Sequence, residues 1–158
     1  ITLRAAGAVA IAKGDLVAID LDDDTNGLGG SVEKSTTALP QLAFGIATQA
    51  VPLTSPATPK NIVVQVAGKY GVDGGSAAAG DGAFVATSVA AGDFLVASTA
   101  AAGTLVEADS ATAVAGNSQA NIQAALKLAR IGIALTADAD GDYTAGYATV
   151  MIIDQGLF

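Results

Sequence analysis

The chain has 158 residues, a length typical of one domain that buries its own core. It contains no cysteine and no histidine, which excludes disulfides, thiolate metal sites and every mechanism that uses a histidine base. The net charge of −8, with only seven Lys and Arg residues and 4% aromatic residues, argues against binding to nucleic acid or to an anionic membrane. Gly and Asp interrupt every apolar run before it reaches the roughly 20 residues of a transmembrane helix.

The first part of the chain predicts an arm, a turn, a strand and a loop, in that order. Residues 1–12 are predicted to form an extended N-terminal arm that leads into a first strand, and residues 13–158 a single β domain. Lys13-Gly14-Asp15 is typical of a turn, and the apolar run Leu16–Asp20 predicts a strand. Asp20–Lys34 is polar and rich in glycine, so we expect a loop there.

The middle of the chain alternates between short apolar runs and turn residues. Strands are predicted at Ala43–Gln49 and at Ile62–Ala67, where alternate residues share one face. Val51–Lys60 contains three of the four prolines and is therefore expected to be a loop. Two further short strands are predicted at Phe84-Val85 and at Phe94–Val96.

The C-terminal part predicts one helix and a last hairpin. A short helix is expected near residues 118–129, because Ser118 is a favourable N-cap and apolar residues then recur at helical spacing. Asp140-Gly141 predicts a hairpin turn. Tyr147–Ile153 is apolar enough to predict a last strand buried on both faces. The apolar stripe of the helix consists of Ile122, Ala125, Leu126 and Ala129.

A repeated unit organises the chain. Phe44-Gly45-Ile46-Ala47 returns as Ile131-Gly132-Ile133-Ala134, and in both copies a β-rich run begins 17 residues after the glycine, at Ile62 and at Thr149. A Gly-Asp pair precedes each copy. Two copies of a short-strand unit predict an all-β fold, a small β-barrel or β-sandwich built from two related halves with one short helix near 118–129. The Gly-Asp pairs are Gly14-Asp15 upstream of the first copy, and Gly80-Asp81 and Gly92-Asp93 upstream of the second.

One segment matches the pattern of a calcium-binding loop. Asp22, Asp24, Asn26 and Glu33 have the spacing D-x-[DN]-x-[DN]-G-x5-E, in which oxygen ligands alternate along a sharp turn. A predicted strand precedes this segment and no helix flanks it, unlike the usual context of such loops. The alternative is an acidic hairpin loop without metal, because Asp, Asn and Gly are also common turn residues. We predict no metal site and leave the calcium alternative open.

The second acidic cluster and the remaining sequence provide no recognisable catalytic motif. Asp138, Asp140 and Asp142 lie around the predicted Asp-Gly hairpin, and no G-x-S-x-G, S-x-x-K or phosphate-loop motif occurs. A catalytic carboxylate pair would need one member in an apolar pocket, whereas both acidic clusters are expected in solvated loops. We therefore predict no enzymatic activity, no catalytic residues and no cofactor. A hydrolase that uses paired aspartates is the third and weakest hypothesis.

The order of the motifs resembles one known family. The segments GDLVAID, FGIATQAV, NIVVQVAGKYGV, AAAGDGAFVAT, RIGIALTAD and YATVMI follow one another from Gly14 to Ile153. This order is similar to that of the capsid cement, or head decoration, proteins of tailed bacteriophages. Relative to the family's pattern, the pair Gly92-Asp93 is an addition.

The resemblance implies a structural virion protein. Such proteins are small β subunits, form homotrimers, and bind the major capsid protein at three-fold positions on the outer surface of the expanded head, which they stabilise. The protein would be made in the host cytoplasm, without nucleic acid or membrane partners. We expect Ile1–Ala10 and the loop Pro52–Lys60 to face the capsid, the former by adding a strand to a partner's sheet. The alternative from another class is an adhesive or carbohydrate-binding β-domain, with or without structural calcium.

Overall fold

The structure is a computed structural model that describes residues 1–5, 9–20, 31–38, 42–52, 60–72, 81–86, 88–108, 130–137 and 146–153. This part of the chain is nearly all β and comprises a closed five-stranded barrel, a five-stranded sheet and a two-stranded sheet. The prediction of an all-β fold is confirmed. The helix predicted near 118–129 lies outside the described residues, as does the predicted Asp140-Gly141 turn.

The first half of the chain forms the barrel. Its strand order is β1-β3-β2-β4-β5, and β1 closes the barrel by pairing antiparallel with β5 and parallel with β3. Closure leaves no strand edge unpaired in this half, so the barrel offers no edge on which a further strand could add. The strands are β1 (Thr2–Ala5), β2 (Leu16–Ile19), β3 (Ser31–Lys34), β4 (Ala43–Ala47) and β5 (Lys60–Gln65).

The second half of the chain forms the two open sheets. Its strands are β6 (Gly68–Tyr70), β7 (Ala83–Phe84), β8 (Phe94–Ala97), β9 (Leu105–Glu107), β10 (Arg130–Ala134), β11 (Tyr147–Ala148) and β12 (Val150–Ile152). The larger sheet has the order β6-β12-β10-β8-β9, and β7 pairs with β11 in the smaller one.

The two halves repeat the same strand arrangement. The order β3-β2-β4-β5 of the barrel matches the order β9-β8-β10-β12 of the larger sheet. Val17 lies opposite Gly45, as Leu95 lies opposite Gly132, and the register shifts beside each pair. The repeat predicted from the sequence therefore corresponds to a repeated three-dimensional unit.

The structure corrects the alignment of the two copies in their last strand. Ala47 lies opposite Val64, and the equivalent Ala134 lies opposite Val150. Val64 therefore corresponds to Val150 in the repeat. The spacing from the glycines had matched Val64 with Met151 instead, because it aligned Ile62 with Thr149. The correction by one residue matters because it reverses which side chains of β12 face inward.

Of the three buried clusters in the described part of the chain, the two larger ones form most of the core. One fills the barrel and includes Val17, Phe44, Ile62 and Val64. The other lies between the halves, where side chains of the barrel strands pack with side chains of the larger sheet. Burial of this shared cluster removes apolar surface of both halves from water and holds them together. Its barrel members are Leu16, Ala18, Ala43 and Ile46, and its largest members from the second half are Tyr70, Leu95, Leu105, Ile131 and Ile152.

The N-terminal segment differs from the prediction of an extended arm over residues 1–12 that leads into a first strand. Thr2–Ala5 form β1 inside the barrel, and the backbone of Ile1 bonds to Val64 through both its amine and its carbonyl oxygen. Val9 is exposed, and Ile11 forms an isolated bridge with Val51. The prediction was wrong because a four-residue strand has a weak local signal, and only its two distant partners stabilise it.

Four other elements were missed or merged. Ser31–Lys34 was assigned to a loop but forms β3, and neither β6 nor β9 was predicted. The last strand was predicted as one segment, Tyr147–Ile153, but it divides at Thr149 into β11 and β12, which pair with different strands. It is not buried on both faces either, because Met151 and Ile153 are exposed.

Candidate functional site

The first Gly-Asp turn is closed by two hydrogen bonds between Asp15 and Ala12. The amide of Asp15 donates to the carbonyl of Ala12 at 3.2 Å, and the amide of Ala12 donates to Oδ2 of Asp15 at 2.7 Å. Gly14 has a φ of 96°, which favours glycine at the third position of such a turn. A Cβ there would also lie 2.6 Å from the carbonyl oxygen of Gly82. Glycine and aspartate are thus both required by the turn.

The second turn has the same geometry at Gly92-Asp93. Ala90 donates to Oδ2 of Asp93 at 2.6 Å and accepts from the amide of Asp93 at 3.1 Å, and Gly92 has a φ of 101°. The pair that departed from the family pattern is therefore the structural equivalent of the first turn. Gly80, the other candidate, lies outside the described residues.

The alanine that ends each GIA motif holds the turn in place. Ala47 donates to the carbonyl of Asp15 at 2.9 Å and accepts from the amide of Gly14 at 2.9 Å. Ala134 makes the same two bonds with the second turn, at 2.9 and 2.8 Å. The Gly-Asp and GIA motifs recur together because they are the two hydrogen-bonded sides of one structural unit.

Asp15 also forms an ion pair that the second turn lacks. Its Oδ2 lies 3.1 Å from Nζ of Lys34, and the Asp15 side chain is buried. Burial raises the pKa of Asp15 and outweighs the lowering effects of the Ala12 amide and of Lys34. In the second half Glu107 lies opposite Leu95, as Lys34 lies opposite Val17, so an acidic residue occupies the position equivalent to the lysine.

Gly103 of the second half lies directly against this ion pair. Gly103 accepts from the amide of Leu16 at 2.8 Å and donates to the carbonyl of Ser35 at 2.9 Å. A Cβ on Gly103 would overlap with Cε of Lys34 and lie 3.0 Å from Oδ1 of Asp15. The buried carboxylate of Asp15 bonds to Ala12 and Lys34 within the first half, and Gly103 of the second half lies against this pair.

The residues of the predicted calcium pattern are mostly outside the described part of the chain. Asp22, Asp24 and Asn26 lie there, whereas Glu33 lies in β3 opposite Ala18 and is half-buried. Asp138, Asp140 and Asp142 are also outside it. Among the described residues no group of three acidic side chains is placed to hold a metal ion. The calcium alternative stays a prediction.

A cleft of about 340 Å³ lies where the barrel meets β6. The hydroxyl of Tyr70 donates to the carbonyl of Ala47 at 3.0 Å, and burial raises its pKa to about 12, with smaller contributions from the negative charges of Asp15 and Asp81. The amide of Gln65 donates to the carbonyl of Lys69 at 2.7 Å. These polar groups stabilise the junction instead of presenting an acid or a base. The lining residues are Lys13, Thr48, Gln65, Lys69, Tyr70, Gly71, Val72 and Asp81.

The larger sheet presents an apolar outer face, here called the second-sheet face, which the sequence analysis missed. Phe94, Ile133 and Met151 lie directly opposite one another on β8, β10 and β12 and therefore point to the same side. Leu135 and Ile153 extend this face by alternation along their chains. Phe94, Leu135, Met151 and Ile153 are 45%, 41%, 38% and 37% exposed. The repeat in the sequence could have indicated this face if the last strands of the two copies, β5 and β12, had been aligned in the register that the structure shows.

Within the described residues, no helix is long and apolar enough to span a membrane. Comparisons with protein-family models and with curated proteins found no match.

Proposed function

We propose that this protein is a capsid decoration, or cement, protein that binds the outside of an expanded phage head at three-fold positions and stabilises it. The observation that supports the proposal is the pairing of its two motifs. The Gly-Asp turn and the GIA alanine of the first half, both part of the resemblance to the decoration family, are hydrogen-bonded to each other. In the second half Ala134 makes the same bonds with Gly92-Asp93, the pair that is an addition to the family's pattern, so the two motifs form one structural unit that the chain repeats.

The mechanical properties of the described fold suit a clamp. The described strands of the barrel close on themselves, and the halves are joined by a shared apolar cluster and by the backbone bonds of Gly103 to Leu16 and Ser35. A subunit that resists the outward pressure of packaged DNA must transmit force without deforming, and close-packed interiors have low compressibility. The buried carboxylate of Asp15 also fits a structural protein better than an enzyme.

The partners in this proposal are the major capsid protein and further copies of the chain in a homotrimer, on the outer surface of the virion after synthesis in the host cytoplasm. The loop Pro52–Lys60 remains the predicted capsid contact. The N-terminal segment is no longer proposed as an added strand, because Thr2–Ala5 already pair on both sides within the barrel. Deletion of residues 1–10 would remove a barrel strand, so that deletion cannot test head binding.

The test is co-sedimentation of the purified protein with heads from its source that have been stripped of it. Saturation at three copies per three-fold position on expanded heads is the expected result. Heads of an unrelated phage serve as the control and should not retain the protein. Absence of saturable binding to both compact and expanded heads would refute the proposal.

A further inference from the structure

We propose that the second half of the chain closes as a barrel only with residues 14–16 of the first half, here called the inserted segment, in its seam. The second half then stays folded only while it is docked on the first half. This inference goes beyond the proposed function and is independent of head binding. It makes the junction a conformational device, in which undocking of the halves and unfolding of the second half are one event.

The second half repeats a contact that closes the barrel of the first half. In the barrel, Ala5 of β1 lies opposite Val32 of β3 in a parallel pair. In the second half, Val85 directly follows β7 and lies opposite Leu105 of β9, again in a parallel pair. Since β9 takes the place of β3 in the strand order, β7 takes the place of β1 and joins the smaller sheet to the larger one.

The other side of β7 gives the same equivalence. Leu3 of β1 lies opposite Ile62, and Ala83 of β7 lies opposite Ala148. Ile62 and Ala148 each lie two residues before the valine that faces the last alanine of the GIA motif, so they are equivalent in the repeat. Leu3 and Ala83 each lie two residues before the member of the parallel pair. Both sides of β7 therefore have the register of β1.

The interior of the barrel also has its counterpart in the second half. Val17, Val32 and Val64 belong to the cluster that fills the barrel, and their equivalents belong to the shared cluster. All of these side chains are at most 2% exposed. The second half thus encloses a core with the same side-chain positions as the first barrel. The three equivalents are Leu95, Leu105 and Val150.

The seam between β7 and β9 differs from its counterpart between β1 and β3. In the first half, β1 and β3 pair directly over two successive residues. In the second half, the residue before the parallel pair, Phe84, donates its amide to the carbonyl of Gly14 at 3.1 Å. The amide of Leu16 donates to the carbonyl of Gly103, two residues before Leu105, at 2.8 Å. The inserted segment therefore bonds to both sides of the seam.

The fit around the inserted segment is close. A Cβ on Gly14 would lie 2.6 Å from the carbonyl oxygen of Gly82, and a Cβ on Gly103 would overlap with Cε of Lys34. Gly92 is the equivalent of Gly14, yet nothing lies within 4 Å of a Cβ there, so its turn lacks this close fit. The dependence is one-sided, because the strands of the first barrel close on themselves, whereas the second barrel includes part of the first half.

Loss of the inserted segment would destabilise the second half at its seam. The amide of Phe84 and the carbonyl of Gly103 would lose these bonds, and burial of Leu16 in the shared cluster would be lost as well. Buried backbone groups without partners and newly exposed apolar surface both disfavour the folded state. The bridge between Val85 and Leu105 would then be the contact left to hold the seam.

Native-state hydrogen exchange of the wild type tests this dependence at two neighbouring amides. Phe84 donates to Gly14 across the junction, and Val85 donates to Gly146 within the second half, both at 3.1 Å. After correction for intrinsic rates, we expect the amides of Phe84 and Val85 to exchange within about 3-fold of each other, because one opening event exposes both. A larger excess for Phe84 would show that the halves undock while the second half stays folded, and it would overturn the inference.

A second measurement follows the first half during unfolding in urea. The chain has no cysteine, so Val64→Cys introduces a single thiol in the barrel interior, and Val63→Cys introduces one at the exposed neighbour as a control. The Val63→Cys thiol should react with a maleimide at every urea concentration. Once the Val64→Cys thiol reacts fully, no β signal should remain in circular dichroism, because the second half does not outlast the first.

Persistence of about half of the β signal after full reaction of the Val64→Cys thiol would show that the second half is stable alone, and it would overturn the inference. If Val64→Cys did not fold, hydrogen exchange of the wild type would decide the matter by itself. Neither measurement uses heads. A protein that binds heads but has an independent second half would therefore refute this inference and leave the proposed function intact.

Discussion

Replacing Gly132 with alanine should destabilise the protein strongly, because the glycine faces the backbone of the neighbouring strand. A Cβ at this position would overlap with the carbonyl oxygen of Met151 and lie 2.8 Å from Cγ1 of Val150. That carbonyl belongs to the ladder between β10 and β12, so it cannot retreat without weakening cross-strand bonds. Overpacking of this kind costs about 1 to 3 kcal/mol, and each weakened bond adds about 1 kcal/mol. The lower entropy of the unfolded chain offsets up to about 1 kcal/mol.

The expected net loss is therefore about 3 kcal/mol of unfolding free energy, or roughly a 10 °C lower Tm for a domain of this size. Equilibrium unfolding in urea, followed by circular dichroism, measures it, and an unchanged m-value would show that the surface exposed on unfolding is the same as in the wild type. Gly45→Ala is the counterpart in the first half. A Cβ there would lie 2.5 Å from Cγ1 of Val64 and 2.8 Å from the carbonyl oxygen of Gln65, so the overlap with the backbone is smaller than at Gly132 and a loss of about 2 kcal/mol is expected.

Gly92→Ala separates steric overlap from backbone strain. Nothing lies within 4 Å of a Cβ at Gly92, but its φ of 101° is unfavourable for alanine. The expected cost is about 1 to 2 kcal/mol, from the backbone alone. If Gly132→Ala were no more destabilising than Gly92→Ala, the argument from close strand approach would be refuted.

Two further predictions concern the junction of the halves. Lys34→Met should cost about 3 kcal/mol at pH 7, because it leaves a buried carboxylate unpaired, whereas the same change at exposed Lys13 should cost less than about 0.5 kcal/mol. The pKa of Asp15 is already raised in the folded state, so the protonated Asp15 favours folding at low pH, and this contribution to stability is lost as the pH rises through that pKa. Because Lys34 lowers the pKa of Asp15, removal of Lys34 raises this pKa further. The gap between Lys34→Met and wild type, measured by urea unfolding, should therefore shrink from pH 7 to pH 4, and a constant gap would contradict this account. Tyr70→Phe should cost about 1 kcal/mol of unfolding free energy, because it loses the hydrogen bond to the carbonyl of Ala47. The same substitution should remove the phenol whose pKa burial raises to about 12 from the ultraviolet titration of the folded protein. An unchanged titration would show that another tyrosine produces the signal.

Strands with a clear apolar pattern could be predicted from the sequence. Ile62 and Val64 share the barrel interior while Val63 between them is exposed, as the alternation predicts. The strands that follow the Gly-Asp turns, β2 and β8, and the strands that contain the GIA motifs, β4 and β10, were also predicted. Their signals are local, because each strand shows its own periodicity before it pairs with anything.

Elements that depend on distant partners could not be predicted in this way. Ser31–Lys34 is polar and short, and it is a strand because β1 and β2 pair with it on its two sides. The partner of Asp15, Lys34, and the glycine that covers the pair, Gly103, come from separate regions of the chain. No spacing rule relates them, since Lys34 reaches Asp15 through the pairing of β3 with β2, and Gly103 reaches the pair only when the second half docks.

The sequence by itself determined an all-β chain with a duplicated unit and with the glycines and aspartates of its turns. Only the tertiary structure decided which copies of equivalent side chains are buried. Leu16 and Phe94 occupy the same position in the repeat, yet the first is 1% exposed and the second 45%. Local patterning determines that a residue faces out from its strand, but burial depends on what packs against that side, and the second half packs on the side of the first half where Leu16 lies.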